Sequence, residues 1–418
     1  MSVSSQASRL VSNPPAIAEA HYRAAADPYH PERNPAGYIN LGTAENRLMW
    51  DVLAPRLHAP RRLTADDIGY AALHGTTALR QAIAGFLGQS WQADVDPEDL
   101  VVVSGATAAL DAIASALCDP GQAIVVPAPY YSAFDTDLCG RSGARLIRVP
   151  SQACDGFRLD PAAVDQALTD ARRRKLAVRA VALTSPGNPT GHVYPPPTLR
   201  ALIDVVQRHG VDLISDEIYA HSVYGPEPFV SVRDSRTGTG HSPRTHAIWG
   251  FAKAFALPGL KVGVLHAGRH EVRAAAQAFA YFAPTSTDTQ ALLRELLADP
   301  AWTGDFIARS RARLGVSYQH ASLLLAQQGI PYVPASAGFT LWIDLGRWLE
   351  ADTFAAEESL WLRIFQDARV NILPGRVFAS PRPGWFRLCH TIEPALVREG
   401  IARIGQVLTA VEDKEKIA

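Results

Sequence analysis

The sequence predicts an α/β fold in which a large domain built on a mostly parallel sheet is followed by a smaller α+β domain. Three observations point there. The chain has 418 residues, more than a single compact core usually organises. From about residue 77 to 270, short apolar runs alternate with helical patterns, the signature of parallel strands buried on both faces. After about residue 300 that alternation gives way to a long helical pattern and a few strands.

Taken in order, residues 1 to 40 are polar, proline-containing and weakly periodic, and read as an arm that gains order by packing on the small domain. The pattern ALRQAIAGFL, ending at Leu87, is helical. The strand candidates are DLVVVSG (99–105), QAIVVPAP (122–129), AVRAVALTSPG (177–187), VDLISDE (211–217), HAIWGF (246–251) and KVGVLHAG (261–268). Residues 232–245 form a polar loop. The large domain therefore spans 41–300. In the remainder, 301–418, a helical pattern from Asp305 to Gln328 leads into FTLWIDL, a further helix, NILPG, WFRLCH and a last helix.

Composition narrows the function classes. The hydrophobic share is 47%, the charged share 19% and the formal net charge −1, which argues against a nucleic-acid partner. Cys118, Cys139, Cys154 and Cys389 form no C-x-x-C pair, so neither a disulfide framework nor a metal site is signalled. No stretch approaches the roughly 18 apolar residues of a membrane span, and the first residues lack the apolar core of a signal peptide. These features predict a cytoplasmic protein with small-molecule partners and no membrane partner.

The chemistry-bearing residues sit where parallel strands end, which is where open α/β sheets collect ligands. Ser104 to Leu110, SGATAAL, is a small-residue turn opening a helix; its free N–H groups and Thr107 make an anion site. Asn188 lies in SPGNPTG, Asp216 and Tyr219 in SDEIY, and Lys253 in GFAKAF. Taken singly, each has a plain structural reading as a tight turn, a helix cap or a core residue. Together, a phosphate cradle, an amide, an acid, a phenol and a lysine suit pyridoxal 5'-phosphate. The lysine forms a Schiff base, and the acid keeps the pyridine nitrogen protonated. Lysine is scarce here: Lys175, Lys253, Lys261, Lys414 and Lys416 are the only five, and two of them fall in GFAKAFALPGLKVG.

Over most of its length the chain resembles the fold-type I aminotransferase superfamily, and within it the 1-aminocyclopropane-1-carboxylate synthase-like enzymes. The stretches that carry the resemblance are DPYHPERNPAGYINLGTAENRL (27–48), SGATAALDAIASAL (104–117), PAPYYSAFDTDLC (127–139), LTSPGNPTG, ISDEIYA and PGWFRLC (383–389). It implies a fold type I architecture with a seven-stranded sheet and a homodimer sharing its active sites. It implies that Ala106 and Thr107 hold the phosphate, Tyr131 stacks on the ring, Asn188 and Tyr219 contact its O3', and Asp216 pairs with its nitrogen. Lys253 becomes the Schiff-base lysine and Lys261 takes the place of a phosphate-gripping arginine. Arg387 clamps the substrate carboxylate, and Glu45 lies at the substrate mouth toward a sulfonium or amino group. Tyr70 supplies a catalytic phenol across the dimer interface. The implied reaction is γ-carbon chemistry on S-adenosylmethionine: elimination, substitution, cyclisation or C–C bond formation with a second substrate, in bacterial specialised metabolism. The alternative is an ordinary aminotransferase. Departures from the family pattern are Gly250 in place of a phosphate-donating serine, Ala254 in place of aspartate, Lys261 in place of arginine, and Leu73 in place of tyrosine.

Overall fold

The computed structural model describes residues 3–4, 7–8, 16–237 and 242–415; parts of the expected arm and of the 232–245 loop lie outside these. Among the described residues the strands are β1 (Ile39–Asn40), β2 (Leu100–Val103), β3 (Ala123–Ala128), β4 (Arg145–Pro150), β5 (Val178–Thr184), β6 (Asp212–Asp216), β7 (Thr245–Gly250), β8 (Gly263–His266), β9 (Tyr332–Val333), β10 (Thr340–Asp344), β11 (Val370–Asn371), β12 (Leu373–Pro374) and β13 (Trp385–Cys389).

The large sheet has seven strands in the order β2-β8-β7-β6-β5-β3-β4. All neighbours run parallel except β8, which is antiparallel to both β2 and β7. Strand alternation explains why these segments read as unbroken apolar runs. Val102, Val125, Val181, Leu213 and Trp249 point into one helix-covered core, while Val101, Ile124, Ala182, Ile214 and Ile248 point into the other. Both faces are dry, so neither parity of the strand can be polar. The edge strand β4, RLIRVP, was not among the predicted runs. Its outer edge is open and most of its residues are at least partly exposed, so arginines are tolerated and the apolar signal disappears. Arg148 of this strand bonds the Tyr130 hydroxyl at 2.9 Å and Asp135 at 3.0 Å.

The smaller layer is the antiparallel sheet β12-β13-β10-β9. It packs with the helices Pro300–Gln327, Phe354–Gln366 and Pro394–Glu415. The first of these helices starts at a proline at its first turn and is capped by Asp299, whose carboxylate accepts from Trp302 N at 3.0 Å. The helix Ala16–Ala26 and strand β1 join this layer. Ala20, Ala24, Ile39 and Leu41 share a core with Leu360, Trp361 and Ile364, and β1 pairs in parallel with β11. Residues 42–46 thus leave the small-domain core heading directly for the C-terminal ends of the large sheet, which is what brings the N-terminal segment to the site. No helix among the described residues is long and apolar enough to cross a membrane.

Candidate active site

A cleft of about 380 Å³ opens where the C-terminal ends of β5, β6 and β7 meet the small-domain sheet. Its floor is polar because the strands end there. Asp216 is the last residue of β6, Asn188 follows β5 by four positions, and Lys253 follows β7 by three. Ala106, Thr107, Tyr131, Tyr219, Lys261, Glu45 and Arg387 complete the lining. All the residues singled out from the sequence except Tyr70 are therefore brought together. Tyr70 is fully exposed and lines no part of its own chain's cleft, so a role at a cleft requires a second copy of the chain.

The anion side of the cleft is built by the helix Ala106–Leu117. It begins directly after β2 with Gly105 at its N-terminus and no side-chain cap, leaving its first N–H groups directed outward with the positive end of the helix dipole. Lys261 overhangs this turn; its Cε would lie 3.5 Å from a Cβ placed on Gly105. The close passage of β8 over the turn explains Gly263, where a Cβ would lie 2.3 Å from the Gly105 carbonyl carbon. Ser104 does not take part, since its hydroxyl donates to the carbonyls of Ala283 and Pro284.

The departure at Gly250 has a packing origin. A Cβ there would sit 2.8 Å from the Val262 carbonyl oxygen and 3.1 Å from Ile218 Cδ1. The serine expected here from the resemblance would press its Cβ against backbone in this chain. Gly250→Ser is therefore expected to lower thermal stability, by about 1–3 kcal/mol for an overpacked site, without tightening cofactor retention. Thermal unfolding together with dialysis-resistant cofactor content checks both halves of that expectation.

Asp216 is buried and accepts from Ile218 N at 3.2 Å. Burial pushes its carboxyl up to about 7, so the site penalises an unpaired carboxylate. A protonated pyridine nitrogen supplies the cation that is missing there. Lys253 is half-buried beside the rings of Tyr219 and Phe339, 5.9 and 5.7 Å from their centroids, and its amine donates to the Ala44 carbonyl. Burial, and then the nearby Arg387 guanidinium, lowers its amine to about 8. That leaves about a tenth of the amine neutral at pH 7 and half at pH 8, far more than an ordinary lysine, as a condensing amine and proton shuttle needs.

Arg387 comes from β13 in the small-domain sheet, opposite Trp342 of β10. It donates to the Gly42 carbonyl at 2.7 Å and to Asn188 Oδ1 at 3.2 Å, stacks on Phe378, and leaves its buried Nε without a hydrogen-bond partner. One guanidinium thus ties together the N-terminal segment, the large sheet and the small sheet, and retains an unsatisfied donor for an incoming carboxylate. Glu45 lines the same wall, and its carboxylate accepts from the Arg47 Nε at 3.0 Å. Arg47 was not singled out from the sequence, and no local signal distinguishes it from other surface arginines. Asp137 was missed as well. It sits on the short helical turn Phe134–Asp137, not at a strand end, yet it lines the cleft and accepts a hydrogen bond from Thr107 Oγ1 at 3.1 Å.

The donor set suits a phosphorylated pyridine: an uncapped helix N-terminus with a lysine for the phosphate, a desolvated acid for the ring nitrogen and a depressed amine between them. Comparisons with known proteins agree. The model of the family described as aminotransferase class I and II matches residues 36–404. The chain is 35% identical over 414 residues to 1-aminocyclopropane-1-carboxylate synthase 6 of Oryza sativa subsp. japonica, covering 94% of this chain and 76% of that protein. It is 32% identical over 416 residues to 1-aminocyclopropane-1-carboxylate synthase 2 of Solanum lycopersicum, covering 94% and 86% respectively. Among solved structures, aspartate aminotransferase from Thermus thermophilus with maleate superposes with a TM-score of 0.81 at 25% identity, covering 97% of this chain and all of that one.

Proposed function

The chain belongs to the aminotransferase class I and II family of pyridoxal 5'-phosphate-dependent enzymes, with 1-aminocyclopropane-1-carboxylate synthases among its relatives, and on that premise we propose that it acts at the γ-carbon of S-adenosylmethionine. The observation that carries the reading is the wall formed by residues 42–45. It places a carboxylate, Glu45, at the mouth of a cleft that also holds Lys253 and Arg387, so a substrate that is anionic at one end and cationic at the other meets opposite charges at both.

When bound, the cofactor supplies an electron sink for a carbanion at the substrate α-carbon. The chain's own residues do the rest. Asp216, which is buried, would keep a proton on the ring nitrogen. Ala106, Thr107 and Lys261 would hold the phosphate, Tyr131 would cover the ring, and Asn188 and Tyr219 would bind its O3'. Arg387 fixes the α-carboxylate through the fork geometry that a guanidinium offers. Lys253 Nζ removes the α-proton, and its lowered basicity lets it act near neutral pH. With the α-carbon so activated, the Cγ–S bond would break with its electron pair leaving on sulfur as 5'-methylthioadenosine, either as Cα bonds to Cγ in ring closure or after loss of a second proton from Cβ, in an elimination whose unsaturated product takes up a second molecule. The repacked strand end at Gly250 and the lysine at 261 support a remodelled pocket in a specialised biosynthetic enzyme. A homodimer with shared sites is part of the same reading. It is supported by a segment that leaves Leu63, Ile68, Tyr70 and Leu73 exposed, apolar surface that a partner subunit would cover.

Aminotransferase activity is the second reading, favoured by the superposition on aspartate aminotransferase. Incubation of the holoenzyme with S-adenosylmethionine separates the two. Stoichiometric release of 5'-methylthioadenosine is expected. Transfer of an amino group to a keto acid, with S-adenosylmethionine left intact, would replace the first reading by the second.

A further inference from the structure

The phosphate side of the cleft contains a carboxylate where an anion is to be bound. Asp137 is almost fully buried and shares the cleft wall with Thr107 and Lys261. Its Oδ2 lies 3.1 Å from Thr107 Oγ1. A threonine hydroxyl has one proton to donate and two lone pairs that accept. While Asp137 is ionised it takes that single proton, and Thr107 can present only lone pairs to a phosphate. Once Asp137 is protonated the bond can reverse: the carboxyl donates to Thr107 Oγ1, and the hydroxyl proton becomes free to turn toward a phosphate oxygen. We propose that Asp137 is the proton switch of the phosphate site, holding a proton in the loaded protein so that Thr107 donates to the cofactor phosphate and cofactor retention is linked to pH.

The surroundings favour this over a permanently ionised carboxylate. The helix Ala106–Leu117 contributes Asp111, which is itself paired with Arg141 at 3.0 Å. The segment before β8 contributes the cation Lys261, β6 contributes Asp216, and the loop after β3 contributes the Tyr131 phenol. Thus Lys261 is the cation acting on Asp137, while Asp111 is paired with Arg141 and Asp216 faces Lys253. Burial pushes the Asp137 carboxyl up to about 6, and a phosphate dianion beside it would raise it further. The sign follows: a proton held more tightly in the loaded form contributes to retention at low pH, and that contribution is lost as pH rises through the loaded-form value. The window therefore lies above pH 6. The second ionisation of a phosphate monoester, near pH 6, is largely complete across it.

The inference rests on the assignment of the phosphate to the turn at Ala106 and Thr107, and the experiment tests the two separately. The probe is pyridoxine 5'-phosphate, which carries the phosphate but no aldehyde and so cannot condense with Lys253. Its affinity is followed by tryptophan fluorescence from pH 6 to 9 in wild type, Asp137→Asn, Thr107→Ala and Lys261→Ala. Asp216 titrates in all four, and its coupling to Asp137 is lost only in Asp137→Asn; Thr107→Ala, which keeps both carboxyls, is the control for that coupling. Wild-type affinity is expected to fall with pH, by up to about tenfold per unit for one linked proton. Asp137→Asn, whose amide donates to Thr107 at every pH, is expected to lose that component and to bind at least about tenfold more tightly than wild type at pH 9. Thr107→Ala should bind more weakly than wild type at low pH and approach it at high pH, where the wild-type hydroxyl is turned to Asp137. Parallel curves for wild type and Asp137→Asn, with Lys261→Ala weakened, would overturn the switch and leave the phosphate assignment standing. Unaltered binding in both Lys261→Ala and Thr107→Ala would remove the assignment and the switch with it.

Discussion

Lys253→Ala is expected to abolish covalent attachment of the cofactor, and with it the visible absorbance of the internal Schiff base, and to lower turnover by at least about two to four orders of magnitude, the range typical for loss of a positioned acid–base group. The reason is positional. The Lys253 amine is half-buried at the floor of the cleft, beside two aromatic rings, with its basicity lowered to about 8. Lys261 is exposed, shows its side chain to the phosphate turn, and sits at the far end of the Pro258–Leu260 turn. Lys261→Ala should therefore keep the absorbance and lose cofactor on dialysis, with retention weakened about tenfold, roughly the worth of one charge-assisted hydrogen bond. Absorbance spectra before and after dialysis distinguish the two lysines, and the reverse pattern would exchange their roles. Far-UV circular dichroism of each variant separates a chemical loss from misfolding.

Arg387→Ala is expected to be the second most damaging change, lowering kcat/KM by about 2–5 kcal/mol, or roughly thirtyfold to several thousandfold, chiefly through KM. Part of that loss is the carboxylate contact itself. Another part is structural, because the guanidinium satisfies the Gly42 carbonyl and Asn188 Oδ1, and removing it leaves buried acceptors unpaired. Arg387→Lys separates the contributions: it keeps the charge but not the fork. An intermediate KM with thermal stability near wild type is expected. A lysine variant as poor as alanine, at unchanged stability, would mean that the two-pronged geometry matters more than charge. Unchanged KM in both variants would remove Arg387 from substrate binding.

Both predictions depend on residues visible in the sequence, and the degree of legibility differs along the chain for physical reasons. The strands β2, β3, β5, β6, β7 and β8 were legible because burial on both faces leaves every side chain apolar and the run unbroken. β4 was not, because an open edge lets Arg145 and Arg148 enter the strand. Asn188, Asp216 and Lys253 were legible because each follows a strand end, where chain direction alone delivers side chains to the crevice. Asp137 has no such marker. Its place in the cleft comes from a four-residue turn meeting the first turn of another helix, a contact across thirty positions.

The family-pattern departures show the same division. From the sequence, Gly250 looks like a lost hydroxyl; in the structure it is a position where β8 runs too close for any side chain. Likewise Tyr70 fits a family spacing, but its own fold carries it to the surface, away from the cleft.

The sequence alone thus determined the α/β architecture, the order of the chemistry along the strand ends and the cofactor those groups suit, because strand burial and strand polarity are written into local patterns of residue type. Only the tertiary structure decided that Arg387 bridges the two layers to Gly42, that Gly250 has no room for a serine, and that Asp137 confronts Thr107. Those facts depend on how closely segments far apart in the chain approach each other, and distances of closest approach are fixed by packing of the whole core, which no local pattern encodes.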